Sequence, residues 1–327
     1  MPDKAGQWQK MFDYLLGYQA VWVTDVGLKS GLLAAIAERE PVTETALREA
    51  LDMDARYLGV WCRAAYAYEL VEYEEAGGYR LAPHLRDILL EPADPQFLGG
   101  RLQFYAALYE DFKAFPGHLK AGGSWARAEH DPWLLEALGN MTKPDAPMIV
   151  QAVLPQSPAT LKRLEAAGGS ILDVGAGTGF AVIHYARRFP KAQVLGLESD
   201  VAMVHLGREA VVESGLANAT LAHGDANQLA AHDAYDLVTM NVALHETGGP
   251  AEWRNVLRRV HAALKPGGTL IVSELPYPDD LAAYRQQPVY KALAGVQFHE
   301  TLVGCGAITQ HTLAELLREA GFASARV

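Results

Sequence analysis

The sequence predicts an α/β protein: a doubly wound, mostly parallel sheet in the C-terminal half, preceded by a helical half that ends in a winged helix. Three observations carry this. From Ser170 onward, short apolar runs alternate with amphipathic stretches, the pattern of βαβ units. The first run, ILDV at 171–174, leads straight into glycines at 175, 177 and 179. Upstream, helical periodicity gives way to LVEYEEAGGYRLAP, which alternates and holds Gly77-Gly78 at its centre, a hairpin signal.

In order, the apolar residues from about Trp8 to Glu38 recur at helical spacing, with Gly31 dividing them into two helices. Thr43 caps a short helix to Leu51, and Asp54 caps the next, to about Glu69. The hairpin then completes the winged helix. This gives a helical winged-helix domain over 1–97 and a helical connector over 98–158, whose Trp133 and Met141 are candidates to line a ligand pocket. The α/β domain occupies 159–327. Its strands read ILDV, QVLGLE, TLAHGD, YDLVTMN and GTLIVSE, with helices at about 180–189, 201–214 and 252–265. Such a Rossmann-like sheet has helices on both faces.

Composition limits the partners. The 327 residues include 28 Lys and Arg against 39 Asp and Glu, a formal charge of -11 without any basic block. Nucleic acid and anionic membrane are therefore not expected as partners. The winged helix carries an acidic wing and an apolar, aromatic second helix (Tyr57, Leu58, Val60, Trp61, Tyr66), unsuited to phosphates and base edges. Its apolar face suits a second subunit, so a homodimer through the N-terminal domain is expected. Cys62 and Cys305 are far apart and lack metal-ligand spacing, which predicts neither disulfide nor metal site and suits a reducing compartment. The N-terminus MPDKAGQWQKMFDYLL lacks a signal-peptide pattern, and no run approaches the roughly 18 apolar residues of a membrane helix. The expectation is a soluble cytoplasmic protein.

In a doubly wound sheet the ligand sits beyond the carboxyl ends of the strands, at the switch in strand order. Glycines there let it approach the backbone. Asp173, Glu198 and Asp225 end three consecutive strands at that edge. A pyrophosphate would be repelled by an acid so close to the turn, whereas a cationic nucleoside would be attracted.

Here the sequence resembles the class I S-adenosylmethionine-dependent methyltransferases, over nearly all of 170–322. Leu172-Asp173-Val174-Gly175-Ala176-Gly177-Thr178-Gly179 looks like the family's first motif, with Asp173 and the turn Gly175, Gly177, Gly179 facing the methionine end of S-adenosylmethionine. By the same resemblance Glu198 holds the ribose hydroxyls and Asp225, with Ala226, meets the adenine. Asn241, closing strand four, is assigned to the cofactor as well. Leu264-Lys265-Pro266-Gly267-Gly268 is similar to the family's turn into strand five, and Leu317 to Phe322 to its lead into strand six. The sequence stops at FASARV, within that strand. Either strand seven is absent or the chain is a truncated version of a longer one, and an incomplete sheet edge is expected, open to association or instability.

A helical and winged-helix half before this domain is similar to small-molecule O-methyltransferases. The resemblance makes His245, in MNVALHETGGPAEW, the general base for a hydroxyl acceptor, and Glu274 the carboxylate that orients it. It implies a small aromatic or polyketide-like acceptor. Two departures stand out. The family's Asp-Trp pair after the histidine is Glu246-Thr247, and its Gly-Gly-x-Glu-Arg-Thr pattern becomes Gly304 to Thr309, so the second histidine-flanking carboxylate is expected to be missing. His299 and His311 flank the expected substrate loop, with His299 the candidate for touching the acceptor. No acidic cluster with metal spacing stands near His245, which disfavours a magnesium-dependent mechanism. The alternatives are an N- or C-methyltransferase acting by proximity, a silent ligand-responsive winged-helix regulator, and a nicotinamide-dependent oxidoreductase.

Overall fold

A computed structural model describes residues 3–75, 77–125 and 132–324. They fall into two compact units, Met1–Tyr109 with Asp131–Pro144, and Glu110–His130 with Asp145–Val327. The connector expected over 98–158 thus divides between the two.

The first unit begins with α1 (Lys4–Lys29), capped by the Asp3 carboxylate, which accepts from the Gly6 amide at 2.8 Å. Gly31, at φ 74°, turns the chain into α2 (Leu32–Arg39). Thr43 and Asp54 cap α3 (Glu44–Leu51) and α4 (Ala55–Ala67) as the sequence predicts. Strands β1 (Val71–Glu74) and β2 (Gly78–Leu81) form the antiparallel wing, followed by α5 (Leu85–Leu90) and α6 (Gly99–Ala107). Leu33, Ile36, Leu47, Cys62 and Ala65 are completely shielded in its core. After α7 (Tyr109–Ala121), α8 (Pro132–Met141) belongs to this unit and packs on α6. Gly100 permits that approach: a Cβ there would lie 2.3 Å from the Asn140 carbonyl.

The second unit takes in α7 from Glu110 onward and resumes with α9 (Asp145–Met148) and α10 (Pro158–Glu165). The chain then alternates through β3 (Ser170–Val174), α11 (Phe180–Arg188), β4 (Gln193–Glu198), α12 (Val201–Glu213), β5 (Ala219–His223), β6 (Tyr235–Asn241), α13 (Pro250–Ala263) and β7 (Leu264–Ser273). Two helices, α14 (Pro288–Leu302) and α15 (Gln310–Ala320), follow. The five strands are parallel in the order β5-β4-β3-β6-β7, so the order reverses between β3 and β6. One face is covered through Leu164, Val182, Tyr185 and Val204, the other through Trp253, Val256, Leu257, Val260 and Leu316.

The expected turn Leu264–Gly268 lies within β7. Tyr235 pairs with Leu264 and Leu237 with Thr269, so Lys265 to Gly268 bulge from the ladder. Lys265 Nζ reaches the buried Asp236 carboxylate at 2.8 Å, which anchors the bulge at the end of the sheet away from the glycines. Among the described residues the sheet ends at β7. Gly321 to Ser324 form no strand, and Ala325 onward, where strand six was expected to run on, lies outside the described residues.

Candidate active site

β3 is the middle strand, and its last residues are buried on both faces. Asp173 is 2% exposed and accepts a 2.6 Å hydrogen bond from the Thr239 hydroxyl on the neighbouring strand. Burial disfavours its charge and outweighs that bond; with the nearby charge of Glu198 also acting upward, the carboxyl is pushed up to about 7.

The glycine turn that follows is built by its backbone. Gly175, Gly177 and Gly179 have φ of 75°, 52° and 81°, and the amides of Gly175 and Ala176 donate to the Leu197 carbonyl at 2.8 and 3.1 Å. A Cβ on Gly175 would stand 2.5 Å from the Ala243 Cβ, whereas one on Gly177 would meet nothing within 4 Å. The first glycine is needed for packing, and the second leaves the backbone approachable. Glu198 has a task the sequence did not disclose: its Oε2 accepts from the Gly177 amide and its Oε1 from the Asp200 amide, both at 2.8 Å. It braces the turn, and each oxygen keeps further acceptor capacity for a hydroxyl.

At the end of β5, the Gly224 amide donates to the Glu198 carbonyl at 2.9 Å, tying the two strand ends together. Asp225 is exposed; its Oδ1 caps the short turn Ala226–Gln228 through the Asn227 amide, and Ala226 itself is buried in the core. Asn241 ends β6, with its Nδ2 donating to Asp145 at 3.0 Å and its Oδ1 buried without a hydrogen-bond partner. Three acids at adjoining strand ends, an approachable turn and an unmet carbonyl oxygen suit a cationic nucleoside carrying an ammonium group.

The chain leaves β6 through Val242, at φ 52°, into the short turn Leu244–Thr247. Glu274, just after β7, organises that turn. Its Oε1 accepts from the amides of Leu244 at 2.7 Å and His245 at 3.3 Å, and its Oε2 lies 2.7 Å from His245 Nδ1. The ring is 2% exposed. On its other side Nε2 lies 3.2 Å from Glu300 Oε2. The expectation of a missing second carboxylate is therefore corrected: Glu300 supplies it from the last turns of α14, upstream of the stretch Gly304 to Thr309 where it was sought. Nothing local in the sequence marks it, because only the packing of α14 brings it to the histidine. Burial opposes protonation of His245 but is outweighed by the hydrogen bonds and charges of Glu274 and Glu300, which push it up to about 10.

His299 precedes Glu300 and is completely buried, its Nδ1 2.6 Å from Asp111 Oδ2 on α7. That atom locks α14 to α7 and is not presented to an acceptor. Trp133 and Met141 belong to the first unit, where the Lys29 ammonium lies 4.5 Å from the centre of the Trp133 ring.

Residues 171–268 match a family described as a methyltransferase domain. A demethylmenaquinone methyltransferase of Geobacillus kaustophilus is 30% identical over 175 residues, which cover 49% of this chain and 73% of that protein. Its counterpart in Listeria monocytogenes serotype 4a is 35% identical over 114 residues, 34% of this chain and 47% of that protein. The chain thus spans about half the length of the first curated relatives it matches. Among solved structures, human N-acetylserotonin methyltransferase in complex with S-adenosylmethionine superposes with a TM-score of 0.70 at 18% identity, covering 98% of this chain and 92% of that one. Mitomycin 7-O-methyltransferase gives 0.67 at 19% identity, over 97% and 92%. At these identities the likeness is one of fold.

Proposed function

The chain belongs to the class I S-adenosylmethionine-dependent methyltransferases, and we propose that it transfers the methyl group to a hydroxyl of a small aromatic or polyketide-like metabolite, with His245 as general base. The supporting observation is the clamp on His245. Glu274 holds Nδ1 at 2.7 Å, which supports Nε2 as the nitrogen that takes the proton. Fold neighbours named for O-methylation favour a hydroxyl acceptor.

The cofactor, when bound, supplies a methyl carbon already activated by its sulfonium. The chain's part is alignment, exclusion of water and handling of one proton. The turn 175–179 admits the cofactor's methionine end beside Asp173 and Asn241, while Glu198 and Asp225 meet the ribose and the adenine. At the acceptor end, a hydroxyl that replaces Glu300 at Nε2 removes one of the two charges that hold the ring protonated. Glu300 leaves with the Nε2 proton, and the neutral ring then takes the proton of the hydroxyl.

A second reading has its own observation. Nε2 already faces Glu300 at 3.2 Å, which suits an N- or C-acceptor aligned by proximity with no base at all. His245→Ala separates the two. Loss of a general base lowers turnover by roughly 10²–10⁴-fold with cofactor affinity intact; unchanged turnover leaves the alignment reading. The acceptor class is tested by offering phenols with an isotopically labelled methyl donor and weighing the products.

A further inference from the structure

We propose that His245, Glu300 and Cys305 form a binding site for a divalent transition-metal ion of the zinc type, placed across the acceptor end of the active site. Their ligand atoms Nε2, Oε2 and Sγ all lie within 4.8 Å of one another, and the first two are 3.2 Å apart. Around a tetrahedral zinc with bonds of about 2.0–2.3 Å, ligand atoms stand roughly 3.3–3.7 Å apart. The histidine and glutamate are in place for that geometry, and the thiol stands within 4.8 Å of both.

Two features make this a built arrangement. The first is the end of α14. The Cys305 amide donates to the Glu300 carbonyl at 2.7 Å and the Gly304 amide to the Thr301 carbonyl at 3.2 Å, with Gly304 at φ 84°. This is a Schellman cap, whose first and last residues ordinarily make an apolar contact. Here those two positions hold a carboxylate and a thiol instead, turned toward one imidazole nitrogen. The second is Glu274 on Nδ1. A carboxylate on the far nitrogen orients a metal-ligating histidine and leaves Nε2 for the ion. Nitrogen, oxygen and sulfur in a set of three suit zinc and leave a fourth position open. Cys305, on the loop after α14, is partly exposed while the other two ligands are buried, which leaves the loop side as the open side of the site.

Metal on Nε2 takes the atom assigned above to the hydroxyl proton, so zinc loading should stop methyl transfer; this consequence rests on the proposed base, whereas the binding does not. The test uses the full chain and cobalt(II) as a spectroscopic stand-in for zinc. One equivalent should produce a thiolate-to-cobalt charge-transfer band that zinc abolishes. The band should vanish in Cys305→Ser and Cys305→Ala, stay in Cys62→Ser, and need at least tenfold more metal in Glu300→Gln. Calorimetric titration with S-adenosylmethionine verifies that each variant is folded. No band in the wild-type chain, or a band that survives Cys305→Ser, overturns the site. Stoichiometric binding with methyl transfer unimpaired keeps the site and removes His245 as base.

Discussion

Asp173 is caught between two opposing demands. Its burial favours the neutral acid, while the cofactor's cationic end, which the motif assigns to its surroundings, favours the anion. Because the folded-state value is raised to about 7 from an ordinary 3.8, its contribution to stability is complete below the unfolded value and is lost as pH rises through 7. Binding of a cation reverses the preference and expels the proton. S-adenosylmethionine affinity should therefore climb with pH, by up to about tenfold per unit below 7, and level off above it. Calorimetry at pH 6 in buffers of different ionisation enthalpy should register one proton released, and Asp173→Asn should abolish the release. Equal heats in all buffers would deny Asp173 this role. Asp173, Glu198 and Asp225 could be read from the sequence because each closes or follows a strand, and strand ends converge by topology. His245 and Glu274 were paired by the family resemblance, and the structure brings those two within 2.7 Å. Glu300 could not be read, since its approach to Nε2 depends on how α14 packs, including the Asp111–His299 bond. Nor could the bracing of Gly177 by Glu198, because it depends on side-chain direction.

The glycine turn between β3 and α11 separates two costs that a motif lumps together. Gly175→Ala places a methyl 2.5 Å from the Ala243 Cβ at φ 75°. Positive-φ strain of roughly 1–2 kcal/mol then adds to overpacking of about 1–3 kcal/mol, so the melting temperature should fall clearly. Gly177→Ala carries only the first cost, because its Cβ enters open space. Its melting temperature should drop less while cofactor affinity drops more, since that space is the approach to the backbone. Thermal scans beside cofactor titrations check both, and equal effects in the two variants would mean that the turn has no approachable side. Most elements here were legible because their signals are local: Thr43 and Asp54 as caps, Gly31 as a break, alternation in the wing. The bulge at Lys265–Gly268 was read as a turn because its glycines look alike in either setting. What holds it in the strand is the distant Asp236–Lys265 bond.

At the scale of the whole molecule, α1 carries a surface that a lone chain does not explain. Trp8, Met11, Leu15, Tyr18 and Trp22 follow a 3-4-3-4 spacing and are 63%, 61%, 50%, 48% and 50% exposed. That repeat forms a single apolar seam along a helix of 26 residues, about 39 Å long, and seams of this spacing bury themselves against another helix. No single helix among the described residues is long and apolar enough to cross a membrane. A helix lying on an anionic membrane would need a basic polar face, and the charge of -11 is unfavourable to it. A second copy of the chain joined through the first unit, the partner expected from the sequence, would bury this seam. The chain should sediment at twice its 35.5 kDa, and Leu15→Glu with Trp22→Glu should halve that mass while the circular dichroism of the fold persists. The substituted positions are already half in solvent, so their effect on the isolated chain should stay within about 0.5 kcal/mol. Sedimentation of the unaltered chain as a monomer at micromolar concentration would rule out the second copy as the partner of α1.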